Sequence, residues 1–126
     1  VCFERRVSYE ALPAKIKDQD YFILPYHINE LTNNINPLKI KEYLATGRPV
    51  ISTPLPEVVK LAKFLYVAGN QNDFVKIIKG LMSGEFIYSS SPTLQYLEDH
   101  ETWKAKAAYF CQKMNKAILT KELSMQ

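Results

Sequence analysis

The chain has 126 residues, 47% hydrophobic and 23% charged, with 16 Lys and Arg against 13 Asp and Glu, a net charge of +3. That is the size and composition of one soluble globular domain spanning 1–126. The basic residues form no run of five, which excludes a nucleic-acid footprint, and no apolar stretch approaches the ~20 residues that cross a bilayer. Cys2 and Cys111 have no CxxC spacing and read as two reduced thiols of a cytoplasmic protein. Val1-Cys2-Phe3 is a candidate strand, and a start inside it reads as a chain cut from something longer. Ser8 is placed to cap a helix through Ile16, with Glu10 in its first turn and Pro13 splitting or kinking it. Tyr21-Phe22-Ile23-Leu24 is a continuous apolar run, the mark of a strand covered on both faces, and Pro25 ends it.

Residues 26–36 are polar, rich in asparagine, and read as loop. Pro37 then takes a first-turn position, with Asn36 as cap, in a helix buried through Ile40, Tyr43 and Leu44 and stopped by Gly47. Pro49 to Ser52 is a short buried strand, followed by a turn and a brief helix near Glu57 to Ala62. Phe64 to Val67 is a further strand. Asn70 caps a helix whose Phe74, Ile77, Ile78, Leu81 and Met82 form one apolar face, with Gly84 after its end. A serine-rich linker at 89–92 precedes one last helical region to about Leu119, whose Trp103, Ala107, Phe110, Met114 and Ile118 read as core. The order β-α-β-α-β-α-β-α-α predicts an α/β fold with parallel strands and right-handed crossovers. Such sheets bind ligands beyond the carboxyl ends of their strands, where the loops after Leu24 and Ser52 lie.

One segment carries chemistry. The helix start at Pro37 and Leu38 offers unpaired backbone N–H groups and a partial positive charge, and Lys39 adds a full one, a combination suited to phosphate. Glu42, three residues on, is a carboxylate able to accept the two hydroxyls of a ribose diol. The plain alternative is that Lys39 and Glu42 form an exposed i,i+3 salt bridge. His27 and His100 are isolated, with no partner at metal-ligand spacing. Ser52 and Thr53 suit either a phosphate contact or a simple turn.

The stretch Leu24-Pro25-Tyr26 … Pro37-Leu38-Lys39-Ile40-Lys41-Glu42-Tyr43-Leu44-Ala45-Thr46-Gly47-Arg48-Pro49-Val50-Ile51-Ser52-Thr53 resembles the donor-binding motif of GT-B glycosyltransferases. The similarity is to the group-one, family-four-like branch that builds bacterial surface polysaccharides. Flanking residues, from Val7-Ser8-Tyr9-Glu10-Ala11-Leu12-Pro13 to Thr102-Trp103, extend the resemblance over about residues 1–118. It implies a Rossmann-like parallel sheet, an incomplete C-terminal GT-B domain, and a nucleotide-sugar donor as substrate without cofactor or metal.

By the same resemblance Glu42 binds the donor ribose, and Pro37, Leu38 and Lys39 approach the diphosphate or sugar. The Arg6-Val7-Ser8 loop, through Val7 and Ser8, reads the nucleobase, and Asn33 and Asn34 lie near the sugar. A second glutamate of the family pattern is replaced here by Asn34, and a glycine-rich turn by Ile35-Asn36-Pro37. The acceptor-binding N-terminal domain has no counterpart in the sequence, so turnover by this chain alone is expected to be slight. Further expectations are membrane-surface association of the intact enzyme and a homodimer joined through unpaired strand edges. The alternatives are a nucleotide-sugar epimerase-like domain and a non-catalytic interaction module.

Overall fold

The computed structural model describes residues 5–124; the expected strand Val1–Phe3 and Cys2 lie outside them. The three apolar runs that read as strands form β1 (Phe22–Leu24), β2 (Val50–Ser52) and β3 (Tyr66–Val67). They make one parallel sheet in the order β1-β2-β3, with Phe22 opposite Val50, Leu24 opposite Ser52, and Ile51 opposite Tyr66. Side chains alternate across a strand, and β2 shows what that does. Val50 joins the core on one face with Phe22, Ile40, Leu44, Leu55, Val58 and Leu97, while Ile51 joins Ala68 and Ile77 on the other. Both residues are wholly buried, so helices cover both faces of β2 and the α/β, Rossmann-like expectation holds. Strand β1 lies at the sheet edge and its Ile23 is 48% exposed, so it is not covered on both faces as its apolar run implies.

Helix α1 (Leu12–Ile16) is shorter than the span from Ser8. Residues 9–11 form a turn in which the Ser8 hydroxyl accepts from the Ala11 N–H at 3.4 Å, so Glu10 precedes the helix and is not in its first turn. Pro13 sits in the opening turn, where a missing N–H costs nothing, and neither splits nor kinks the helix. The loop expected at 26–36 contains a short helix, α2 (Glu30–Asn33), closed by a reciprocal cap. Asn29 accepts from the Thr32 N–H at 2.9 Å, and Thr32 Oγ1 accepts from the Asn29 N–H at 2.9 Å.

Helix α3 (Leu38–Leu44) buries Ile40 and Leu44 four residues apart on one face. Its Tyr43 ring stacks on Phe22, with centroids 4.2 Å apart. Gly47 takes the left-handed conformation (φ 72°) that releases the chain toward β2. Helix α4 (Pro56–Val59) ends sooner than expected, and Phe64 and Leu65 are buried in the turns before β3, not in the strand.

Helix α5 (Gln71–Ser83) matches its sequence signals. Asn70 accepts from the Asp73 N–H at 3.1 Å, and Gly84 ends the helix at φ 75°. Ile77 packs on the second core with Phe74, Ile78 and Leu81 beside it, but Met82 is exposed. The expected last helical region is two helices, α6 (Ser91–His100) and α7 (Trp103–Ser124). They break at Glu101, and Thr102 Oγ1 accepts from the Ala105 N–H at 3.2 Å, capping the second. The stripe on α7 is not core: Trp103 is 92% exposed, and Phe110, Met114 and Ile118 are also exposed. Helical spacing of apolar residues defines a face, but no described element covers this one. No helix among the described residues is long and apolar enough to cross a membrane.

Candidate functional site

The parallel strands bring the carboxyl ends of β1 and β2 side by side. Ser52 is wholly buried and its hydroxyl donates to the Leu24 carbonyl at 3.1 Å, so it is committed to joining the strands. Thr53, the next residue, has a buried hydroxyl oxygen with no hydrogen-bond partner. Beyond this edge the chain forms α2 and then α3.

The N-cap of α3 is Pro37, buried and extended (φ −71°, ψ 107°), and no side chain caps this end. Asn36 therefore does not cap the helix. Leu38 is 69% exposed, and Lys39 is exposed with no ion-pair partner among the described residues. The i,i+3 bridge between Lys39 and Glu42 is not formed. On α2, Asn33 is exposed and Asn34 closes the helix, its side-chain amide donating to the Glu30 carbonyl at 2.8 Å. That bond uses the Asn34 amide locally.

Glu42 lies on the flank of α3 that faces α1. It is half-buried, has no hydrogen-bond or ion-pair partner among the described residues, and lines a cleft of about 390 Å³ between the two helices. The cleft is mostly apolar, with Tyr9, Leu12, Pro13 and Ile16 on the α1 side and Ala45 on the α3 side. A concave, mostly apolar site with a few polar groups, of about 300–1,000 Å³, is the usual form of a small-molecule cleft. Val7 and Ser8, both exposed, lead directly into Tyr9 at its rim. The fold thus brings Glu42 and the start of α1 together across 33 residues of sequence (42 − 9). It leaves Pro37, Leu38, Lys39, Asn33 and Asn34 outside the cleft lining, toward the carboxyl edge of β1.

Lys17 and Thr46 also line the cleft, outside the site residues that the sequence motif marks. Thr46 has a local task, donating to the Tyr43 carbonyl at 2.6 Å where α3 ends. Lys17 caps the far end of α1, and no sequence pattern marks it as a site residue.

Charges near the cleft are few. The Glu10 carboxyl, exposed next to Tyr9 in the chain, is held below the ordinary carboxylate range by a backbone hydrogen bond and by the Ser8 hydroxyl. His27 is exposed, and its carbonyl accepts from Thr32 Oγ1 at 2.6 Å. Among the described residues no group of three His, Cys, Asp or Glu gathers that could hold a metal ion.

Over 60 residues the chain is 38% identical to a Bacillus subtilis (strain 168) protein named as a candidate teichuronic acid biosynthesis glycosyltransferase, TuaH. The match takes in 44% of this chain and 15% of the relative, so the chain spans only a small part of that protein's length. No family model matches the chain, and no solved structure matches it. The partial likeness, on a parallel α/β sheet, supports a glycosyltransferase-like function in general terms.

Proposed function

We propose that the chain is the donor-binding part of a GT-B, group-one glycosyltransferase that holds a nucleotide-activated sugar for transfer to a polysaccharide or other glycan. The observation that carries this reading is the Glu42 carboxylate on the α1–α3 cleft, without a partner among the described residues, in a chain 38% identical over 60 residues to a protein named as a candidate glycosyltransferase. A half-buried carboxylate without a partner retains its demand for donors, and two vicinal ribose hydroxyls meet it. Glu42 holds the ribose, and the apolar walls from Tyr9 to Ile16 take the base beyond Val7 and Ser8.

The diphosphate then points along α3 toward its uncapped start at Leu38. As the bond from the sugar's anomeric carbon to the diphosphate oxygen breaks, its electron pair moves onto that oxygen. Lys39, free of any ion pair among the described residues, supplies positive charge to it. Asn33 and Asn34 stand on the sugar side. The acceptor and its domain come from the rest of the enzyme, so this chain alone binds donor and turns over little.

Calorimetric titration of the chain with UDP and with GDP tests the reading. One of the two is expected to bind, and Glu42→Ala to weaken it by about tenfold or more, the worth of a charge-assisted hydrogen bond. If neither nucleotide binds, the donor-site reading is wrong. The interaction-module reading is favoured by the bare apolar face of α7, where Trp103 is 92% exposed. It predicts no nucleotide binding and a soluble complex formed through α7. No observation favours the epimerase-like reading.

A further inference from the structure

The residue beside Glu42 on α3 makes the longest-range ion pair among the described residues. Lys41 Nζ lies 2.6 Å from Glu101 Oε2, across 60 residues of sequence, with only 22% and 12% of the two side chains exposed. Glu101 closes α6 at its break with α7, its N–H donating to the Leu97 carbonyl at 2.8 Å. The same carboxylate oxygen also receives Lys106 of α7 at 3.1 Å. One anion therefore ties three helices, and its low exposure keeps solvent and salt from screening it as they would a surface pair.

Successive helix residues are about 100° apart around the axis. Lys41 therefore reaches one flank of α3, toward the α6–α7 junction, while Glu42 reaches the other, toward α1. The helix is only seven residues long and has no side-chain cap at its start. Ile40 and Leu44 hold it against the sheet, and the Tyr43 ring rests on Phe22. Among the described residues Glu42 has no hydrogen-bond or ion-pair partner on its flank. Beside that apolar packing, the tie on the Lys41 side is the long-range polar contact placed to resist a roll of α3 about its own axis. A roll of about 10°, at roughly 6 Å from the axis, moves the Glu42 carboxylate by about 1 Å, enough to spoil two hydroxyl hydrogen bonds at once.

We propose that Glu101, through Lys41, is a positioning residue for Glu42: it fixes the rotation of α3 and so the aim of the donor-binding carboxylate into the cleft. The inference rests on the donor-site reading of Glu42. Without Glu101, Lys41 and Lys106 face each other as cations with no anion between them, and α3 shifts to separate the partly buried charge from its neighbour.

The test is calorimetric titration of the full chain with UDP and GDP, with far-UV circular dichroism to establish folding of each variant. Glu101→Gln and Lys41→Met are each expected to raise the Kd of the bound nucleotide about fivefold, within the range of coupling between residues that share one network. Lys41→Arg, which keeps the charge and the reach, is expected to bind as the unaltered chain does. In a Glu42→Ala background Glu101→Gln is expected to add no further loss, because nothing remains to be aimed. An unchanged Kd in Glu101→Gln overturns the proposal. So does an equal fold-loss in the Glu42→Ala background, which marks Glu101 as merely structural. If Glu101→Gln does not fold, Lys41→Met carries the same comparison. Failure of the unaltered chain to bind either nucleotide removes the donor-site reading first, and this proposal with it.

Discussion

Replacing Gly80 by alanine sets two effects of known size against each other. Gly80 is buried in the last turn of α5, and a helical glycine costs up to about 1 kcal/mol relative to alanine. On propensity alone the substitution stabilises. A Cβ at Gly80, however, would lie 2.7, 2.8 and 3.0 Å from three atoms of the Phe86 ring. Ordinary contacts between carbon atoms begin near 3.5 Å, so the ring must retreat by most of an ångström. It has little freedom to do so, because Phe86 packs on the Ile51–Ala68–Ile77 core, its ring stacked against Tyr66 with centroids 6.0 Å apart. The Phe86 N–H also donates to the Gly80 carbonyl at 3.1 Å, which holds the two backbones together.

Overpacking of this kind costs about 1–3 kcal/mol. Subtracting the propensity gain of about 1 leaves a net loss near 1 kcal/mol, with the sign set by the ring. The assay is reversible urea unfolding of Gly80→Ala, of Phe86→Leu, and of the double variant. Gly80→Ala is expected to lower the midpoint alone, and to become neutral or stabilising once the smaller leucine replaces Phe86. A stabilising Gly80→Ala in the unaltered chain would refute the reasoning, as would strict additivity of the two changes.

Leu44→Ala removes a wholly buried side chain from beneath the helix that carries Glu42. A loss of about 2–5 kcal/mol is expected by urea unfolding, and a loss below 1 kcal/mol contradicts the packing described. Glu101 links stability to pH. Burial pushes its carboxyl up, but hydrogen bonds and charge from Lys41 and Lys106 outweigh this and hold it below the ordinary glutamate range. A folded-state pKa below the unfolded one stabilises at pH values above the unfolded value, about 4.3, and that stability is lost as pH falls through the folded value. Thermal unfolding between pH 7 and pH 3 is therefore expected to show a steeper acid loss in the unaltered chain than in Glu101→Gln, and equal slopes would remove the pair from the account.

Much of the fold was readable because local and global signals agree. Tyr21 to Leu24 and Pro49 to Ser52 are apolar without alternation, and both hold sheet strands, but only β2 is covered on two faces; on the edge strand β1 Ile23 is 48% exposed. Asn70, the apolar spacing through Leu81, and Gly84 mark α5 almost to the residue. The failures have separate physical causes. The α2 helix is held by the Asn29–Thr32 cap in a stretch with no apolar periodicity, so only the capping pair could have signalled it. The α7 stripe has the spacing of a core face but no cover among the described residues, because spacing reports a face and not its partner.

At the candidate site, Glu42 was legible and its surroundings were not. Spacing pairs Lys39 with Glu42, but the pair that forms is Lys41 with Glu101, 60 residues away. Only the fold brings α6 against α3. Likewise Tyr9 and Glu42 line one cleft because the chain returns α3 beside α1, which no spacing rule contains.

The central claim is that the Glu42 carboxylate grips a ribose diol. The most direct measurement compares the Kd of the preferred nucleoside diphosphate with that of its 2′,3′-dideoxy analogue, on the unaltered chain and on Glu42→Gln. Loss of the hydroxyls is expected to weaken binding to the unaltered chain by about tenfold or more, as for a charge-assisted hydrogen bond, and to change binding to Glu42→Gln far less. Equal affinities of the unaltered chain for the two nucleotides would contradict it.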